Sequence, residues 1–221
     1  MSVVGLWLIL TSRRKGMALI LVGGGVLAFL AFAPEDITSR LTTIKEAGED
    51  SSFMGRVIAW KISSAIALEN PVFGGGFHAV QVQAIWDRFK MSPGLLGFLD
   101  LPIPEFSAKA AHSIYFEVMG DLGFVGLALF LFILLRALWS RLAIKRMTTQ
   151  LGVAYQWARD MADMLMLAVL AYMVGGASVS LGYLEVIYMI VMLMELLRLH
   201  VAGAFALAEG QVVAPSPRGK V

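Results

Sequence analysis

Apolar residues are bunched along the chain rather than spread evenly. Four stretches approach or exceed the about 20 residues that an α-helix needs to cross ~30 Å of hydrocarbon: residues 16–33, 118–138, 161–182 and 184–206. A fifth apolar stretch, residues 1–10, is too short to cross, and the basic sequence TSRRK follows it. We interpret it as the end of a helix and expect the chain to be a portion of a larger protein.

The segment 34–117, between the first two full spans, is too long for a passive connector. Residues 51–70 have apolar side chains at helical spacing and end in Asn-Pro, which predicts an amphipathic helix. The sequence PVFGGGF follows and predicts a sharp, closely packed turn, because glycine adopts backbone conformations that other residues avoid. Residues 80–91 predict a second amphipathic helix, whose Trp86 and Phe89 we assign to the membrane interface.

Lysine and arginine fall into three clusters beside the predicted spans. Four successive crossings put all three clusters on one face of the membrane, which the positive-inside rule makes cytoplasmic. The segment 34–117 then lies on the outer, periplasmic side. Before it, residues 1–33 contain the partial helix and the first full helix. After it, residues 118–206 contain three helices and a cytoplasmic loop. Residues 207–221 predict a disordered cytoplasmic tail. The predicted fold is an all-α integral membrane protein with four full transmembrane helices and a partial N-terminal one.

Composition agrees with this architecture and excludes several kinds of site. The chain is 58% hydrophobic with a mean hydropathy of +0.76, whereas ordinary soluble domains are about 45–50% apolar. It contains no cysteine, which excludes disulfides, thiolate zinc sites and cysteine nucleophiles. The formal net charge of +2 says little about partners, and we expect no nucleic acid among them.

His112 is the sharpest chemical feature of the chain. Ser113 adjoins it, Glu117 lies five residues on, and Gly123 and Gly126 follow one helical turn apart. Such glycines let a neighbouring helix approach closely, which predicts a helix junction around the histidine. A neutral imidazole in a water-accessible crevice can accept a proton from a hydroxyl, an effect worth roughly 10²–10⁴-fold in rate. The alternative is an imidazole that lies in the headgroup region and does no chemistry.

Two arginines of the long segment are candidate ligands for phosphate. Arg56 is four residues from Trp60 and so shares a helix face with it. Its guanidinium matches the geometry of phosphate oxygens. The alternative for Arg56 is a solvated charge on an exposed face, and Arg40 is ambiguous in the same way.

The remaining polar residues near the spans are interpreted as structural. His78 and His200 show no ligand spacing with His112, so we expect no metal site. Intramembrane acids are functional candidates by default, but Glu195 can reach Arg198 three residues on. The other acids assigned structural roles are Asp160, Asp163 and Glu185.

Three stretches of the chain resemble segments of bacterial O-antigen ligases and related polysaccharide polymerases. RVIAWKISSAIALENPVFGGGF is similar to the arginine-containing stretch of their outer loop, and HSIYFEVMGDLGFVG to their His-(Asn/Ser/Gln)-x9-Gly-x-x-Gly signature. TSRRKGMALI is similar to the Ser-Arg segment before the span that leads into that loop. The order of the three stretches and the hydropathy between them agree with the family from Ser12 to the last span.

The resemblance implies an all-helical glycosyltransferase of the bacterial inner membrane, surrounded by membrane lipids, that uses no metal, cofactor or nucleotide sugar. Such enzymes take a glycan from undecaprenyl pyrophosphate and pass it to an acceptor hydroxyl in the periplasm. The acceptor is the lipid A core in ligases, another glycan in polymerases and a protein in O-glycosylation ligases. Members are usually longer, so we expect a missing N-terminal half to complete the donor groove.

The resemblance also implies roles for individual residues. His112 is expected to deprotonate the acceptor, and Arg56 to hold the donor pyrophosphate. Arg13 matches the family's first arginine, which also binds donor, although the predicted topology puts it on the cytoplasmic side. Arg40 is a further donor-binding candidate, and the supporting residues are Ser113, Glu117, Gly123 and Gly126.

Two other functions compete with the ligase interpretation. A polymerase of the same family would use the same residues and differ only in its acceptor. A non-catalytic membrane subunit of a polysaccharide assembly complex would use the loop to bind partner proteins. A transporter is a weaker alternative, because the long apolar runs lack the broken, polar helices expected at the membrane midplane.

Overall fold

A computed structural model describes residues 51–99, 101 and 107–213 of the protein. Within these residues it contains five α-helices and no strand, which confirms an all-helical fold. The helices are α1 (Ser51–Glu69), α2 (Gln83–Phe89), α3 (Ile114–Leu151), α4 (Gln156–Gly175) and α5 (Glu185–Val213). The predictions for Arg13, Arg40 and residues 1–33 fall outside the described residues.

Three helical segments are long and apolar enough to cross a membrane: Ile114–Leu151, Val153–Ser178 and Glu185–Glu209. They correspond to the last three of the predicted spans. Several boundaries differ from the prediction. The first segment continues to Leu151 rather than ending at residue 138, and the second begins at Val153 rather than at residue 161. The second segment ends at Ser178 rather than at residue 182, and α5 continues as a helix to Val213, into the segment predicted to be a disordered tail. Its apolar and helix-favouring residues continue up to that point.

The described residues fall into two compact units. The first contains α1, α2, the beginning of α3 up to Ala128 and the segment Val174–Gly182. The second contains the rest of α3, most of α4 and all of α5. Every residue of the candidate site described below belongs to the first unit.

In the second unit, charged side chains of the long helices pair with one another. Glu195 accepts hydrogen bonds from Arg198 at 2.8 Å and from Arg136 at 3.2 Å. Asp163 accepts one from Arg141 at 2.6 Å. Charged side chains on long apolar helices usually pair with one another in this way. These contacts support the structural roles expected for Glu195 and Asp163.

The segment before α3 has a hydrophobic core of its own. Ile58, Ile62 and Ile66 recur at helical spacing along α1 and are buried. Trp86 and Phe89 of α2 pack into the same cluster, where Trp86 is 0% exposed and Phe89 6%. Their predicted position at the membrane interface is therefore wrong. The amphipathic pattern of α2 is satisfied by α1 instead of by lipid, which the pattern alone does not distinguish.

Helix α3 is interrupted at Gly123, whose φ of 69° and ψ of −170° lie outside the helical region. In an unbroken helix the amide groups of Phe124 and Val125 would donate to the carbonyl groups four residues earlier. Here both amides donate to the carbonyl of Pro71, at 2.8 and 3.3 Å. The interruption therefore docks the segment after α1 onto α3.

The carbonyl groups that the interruption leaves available accept hydrogen bonds from the glycine-rich turn. Gly75 N–H donates to the Gly120 carbonyl at 2.9 Å, and Gly76 N–H to the Asp121 carbonyl at 3.0 Å. Gly74 has a φ of 64°, and a Cβ there would lie 2.5 Å from the Asp121 backbone. The predicted closely packed turn is confirmed. Its exchange of hydrogen bonds matters because an unsatisfied backbone group in apolar surroundings costs several kcal/mol.

Gly123 and Gly126, the two glycines of the His-(Asn/Ser/Gln)-x9-Gly-x-x-Gly signature, make different contacts in the structure. A Cβ on Gly123 would lie 2.5 Å from the Pro71 carbonyl oxygen, so this glycine does permit a close approach, but by a loop carbonyl rather than by a helix. A Cβ on Gly126 would clash with Leu122 of the same helix. The expectation that both glycines admit a neighbouring helix is therefore wrong. Gly126 and Leu122 come this close because α3 is interrupted between them, at Gly123.

Replacing Gly123 by alanine tests this junction. Gly123→Ala adds a methyl group against the Pro71 carbonyl and strains a positive φ, so we expect a loss of about 3 kcal/mol or more. The thermal unfolding midpoint of the purified protein in detergent measures the loss. Gly203→Ala in α5 is the matched control, because nothing lies within 4 Å of a Cβ there. Equal midpoints for the two variants would contradict the role of Gly123.

Candidate functional site

The second half of α1 and the first turns of α3 lie side by side and run in the same direction. The ring of Trp60 stacks on that of Phe116 with centroids 5.1 Å apart. One turn further on, a Cβ on Gly120 would lie 3.0 Å from the side chain of Ser63. Both contacts advance together along the two helices, which fixes their register.

Contacts of α1 with the residues at and before the start of α3 bring Arg56 and His112 to the same end of this helix pair. Arg56 is one turn before Trp60 in α1, and His112 lies two residues before the first residue of α3. The Trp60 indole also donates a hydrogen bond to the carbonyl of Ala111, the residue directly before His112. Two predicted site residues that are far apart in the sequence therefore lie at the same end of this helix pair.

The backbone of His112 is held in an uncommon conformation. Its φ is 47°, in the left-handed region that few residues other than glycine adopt. Its N–H donates to the hydroxyl of Ser180 at 2.9 Å, and Ser180 belongs to the segment Val174–Gly182. The residue itself is exposed. A fixed backbone thus presents an accessible imidazole, and strain of this kind clusters at functional sites.

Of the predicted supporting residues, Ser113 directly precedes α3 and Glu117 lies in its first turn. Both are buried, and the Ser113 carbonyl accepts the Glu117 N–H at 2.9 Å. The Glu117 carboxylate accepts the N–H of Gly182 at 2.9 Å. This bond ties the start of α3 to the same segment that holds His112.

Lys109 adds a second cation that the sequence analysis did not assign. Its ammonium nitrogen lies 3.2 Å from the position that a Cβ of Gly55 would occupy, and Gly55 directly precedes Arg56. His112 follows three residues later in the chain. In the sequence, Gly55 before Arg56 and Lys109 three residues before His112 carry no recognisable signal. Their proximity is visible only in the folded structure.

His78, which was assigned no function, is the other residue that the sequence analysis missed. Its N–H and that of Ala79 donate to the two carboxylate oxygens of Asp121, at 2.8 and 3.0 Å. Its Nδ1 lies 3.8 Å from Glu117 Oε1. Within the described residues, no group of three or more His, Asp or Glu side chains is arranged to hold a metal ion.

The site therefore has two electrostatic sides. Its buried side carries the carboxylates of Glu117 and Asp121, which bind backbone amides. Its more accessible side carries the half-buried Arg56 and Lys109 and the exposed His112. Two cations can bind an anionic group such as a phosphate, and the imidazole beside them can accept a proton from a bound hydroxyl.

Comparison with known proteins identifies the family of the chain. A family model described as O-antigen ligase matches residues 1–131, more than half of the chain. The chain belongs to the O-antigen ligase family. Together with the three long apolar helices of the described residues, this membership makes it a membrane protein. No curated protein and no solved structure matches the chain.

The matched part of this O-antigen ligase family protein contains most of the site. Arg56, His78, Lys109 and His112 all lie inside it, as does the interruption at Gly123. The segment that contacts the backbone of His112 and the carboxylate of Glu117 comes later in the chain, after α4.

The carboxylate of Asp121 provides a test of how this family member holds its turn. Asp121→Asn replaces one acceptor oxygen by an amide donor, and a hydrogen bond to a charged group contributes about 1.5–3 kcal/mol. We expect amide hydrogen exchange at residues 78 and 79 to become about 10- to 100-fold faster.

Asp87→Asn is the matched control for this substitution. Asp87 lies on the exposed face of α2, where hydrogen bonds from Lys90 and Gln83 lower the pKa of its carboxyl. We expect no change at residues 78 and 79 in this variant. Unchanged exchange in Asp121→Asn as well would show that the carboxylate does not hold the turn.

Proposed function

We propose that this protein is a membrane glycosyltransferase of the O-antigen ligase type. It transfers a glycan from undecaprenyl pyrophosphate to an acceptor hydroxyl on the periplasmic side of the bacterial inner membrane. The observation that supports the proposal is that α1 and the start of α3 lie side by side, with Arg56 and His112 at the same end of the pair. Family membership supports the class of reaction.

Donor binding is assigned to the cationic side of the site. The diphosphate of the donor carries negative charge that increases as the glycan departs, and preorganised cations stabilise such charge most where water is excluded. The guanidinium of Arg56 binds two phosphate oxygens at once, and the ammonium of Lys109 adds a point charge next to it. Arg13 and Arg40 are further donor-binding candidates.

Acceptor activation is assigned to His112. The imidazole takes the proton of the acceptor hydroxyl as the hydroxyl oxygen bonds to the anomeric carbon of the glycan. The bond between that carbon and the diphosphate oxygen breaks, and undecaprenyl pyrophosphate leaves with the bonding electrons. The lipid A core, a protein or another glycan can serve as acceptor, because each supplies a hydroxyl.

Substitution of His112 tests the role of the base. His112→Asn removes the imidazole but keeps a residue type that tolerates a positive φ. In cells that lack their own ligase and supply the remaining parts of the enzyme, we expect glycan transfer to fall at least about 10²-fold. Immunoblots of membrane fractions measure insertion, which should be unchanged.

His200→Asn is the matched control, since this histidine lies in α5, beside Trp157 of the second unit. Its transfer should equal that of the unaltered protein. Transfer at the normal rate in His112→Asn would refute the base. Loss of partner proteins on purification, without loss of transfer, would favour a non-catalytic subunit.

Substitution of Arg56 tests donor binding separately. Arg56→Gln removes the charge and the paired donors, so we expect transfer to fall about 10²-fold, as for loss of one group that stabilises developing charge. Arg88→Gln is the matched control, because Arg88 is an exposed arginine of α2 that pairs with Glu69. Equal rates in both variants would contradict a role for Arg56 at the diphosphate.

Supplying lipid A core, peptide or glycan acceptors to the same membranes separates ligase from polymerase activity.

A further inference from the structure

We propose that α3 and α5 form, in the second unit, a binding site for the phosphate group of an anionic membrane phospholipid. Arg136 and Arg198 are the ligands of this site, and Glu195 is its positioning residue. The site shares no residue with the candidate site of the first unit. The inference therefore goes beyond the proposed function and does not depend on it.

Glu195 holds the two guanidinium groups next to each other. Its Oε2 accepts a hydrogen bond from Arg136 Nη2 at 3.2 Å and another from Arg198 Nε at 2.8 Å. Its Oε1 accepts the hydroxyl of Ser140, whose oxygen accepts a hydrogen bond from Arg136 Nη1 at 2.9 Å. Two cations that repel each other are thus fixed at one oxygen atom before any ligand binds, which lowers the cost of binding.

One positive charge of this cluster is not compensated within it. Two guanidinium groups, which are always charged in proteins, face a single carboxylate. Arginine has five N–H donors, and Arg198 contributes only its Nε to the cluster. The side chains of Arg136 and Arg198 are 37% and 25% exposed, so a ligand can reach both. The terminal nitrogens of Arg198 match the oxygens of a phosphate group, which guanidinium binds in a bidentate manner.

The cluster lies where the apolar part of α3 ends. Residues 129–135, directly before Arg136, are all apolar, and two exposed cations, Lys145 and Arg146, follow it. Trp139, one turn after Arg136, is exposed as well. An exposed tryptophan and a change from apolar to basic residues mark the boundary between hydrocarbon and headgroups. The cluster therefore lies at the depth of phospholipid headgroups.

An exposed apolar stripe continues from the cluster towards the hydrocarbon. Leu129 and Phe132 lie seven and four residues before Arg136, so they share its face of α3. Both are exposed, as is Met192, three residues before Glu195 in α5. The acyl chains of a lipid whose phosphate binds the arginines can lie along this stripe. The stripe thus favours a phospholipid over a free phosphate.

The surplus charge indicates which phospholipids bind. A zwitterionic headgroup carries its own cation beside the phosphate, and this cation would be repelled by the second guanidinium. An anionic headgroup has no such cation, and basic clusters beside membrane-spanning helices attract anionic lipids. We therefore assign the site to lipids such as phosphatidylglycerol.

Native mass spectrometry of the full chain in detergent tests this assignment, because it counts the bound lipid molecules. The protein is titrated with phosphatidylglycerol, with phosphatidylcholine of the same acyl chains and with glycerol 3-phosphate. We expect the Kd for phosphatidylglycerol to be at least about tenfold lower than for the other two, as for one added contact between charged groups. Equal affinity for the two lipids would refute the anionic headgroup. Equal affinity for phosphatidylglycerol and glycerol 3-phosphate would refute the lipid.

Substitution of Arg198 tests the cluster itself. Arg198→Gln removes the surplus charge but leaves Glu195 paired with Arg136, so we expect the variant to fold. Its Kd for phosphatidylglycerol should rise about tenfold or more, the typical effect of losing a hydrogen bond to a charged group. Arg198→Lys keeps the charge and loses the planar fork, so we expect a smaller rise. Thermal unfolding midpoints without added lipid check that both variants fold.

Arg146→Gln is the matched control, because it removes the same charge from an exposed arginine of α3 outside the cluster. Its Kd for phosphatidylglycerol should not change. An equal rise in this variant would assign binding to the general basic surface and overturn the site. Unchanged Kd values in both Arg198 variants would also overturn it. These measurements involve no glycan transfer, so failure of this inference leaves the proposed function to its own tests.

Discussion

The exchange of backbone hydrogen bonds at Gly123 is the constraint on which the first unit depends. Where α3 is interrupted, Pro71 accepts the two amides that no longer follow the helix, and the glycine turn donates to the two freed carbonyl groups. In an apolar environment a helix cannot open without such replacements, since water is not there to supply them. The interruption and the turn are therefore one structural element built from two distant stretches of sequence.

This element determines the geometry of the candidate site. Pro71 lies two residues after the end of α1, so docking it on α3 also fixes α1 beside the first turns of α3. The stacking of Trp60 on Phe116 continues the same register towards Arg56 and His112. The turn itself places His78 against Glu117 and Asp121. One junction thus positions the arginine and both histidines.

Much of the fold follows from the sequence because its signals are local. Apolar length predicts the three described spans, and the Asn-Pro pair predicts the end of α1. The site was only partly predictable because its contacts join distant segments. Trp86 and Phe89 were assigned to the membrane interface because amphipathicity does not reveal what covers an apolar face. The role of Gly126 depends on an interruption that no periodicity indicates. His78 and Lys109 acquire their neighbours only through the tertiary fold.

The shared hydrogen bonds at Gly123 also have a consequence for natural variation and for engineering. A chimaera that takes the PVFGGGF turn from one family member and the following helix from another would join two halves shaped for different partners. Because each half leaves backbone groups that only the other satisfies, recombination between residues 76 and 120 should be tolerated only where both parents interrupt the helix at the same place. The two stretches thus form a single structural module despite the sequence that separates them.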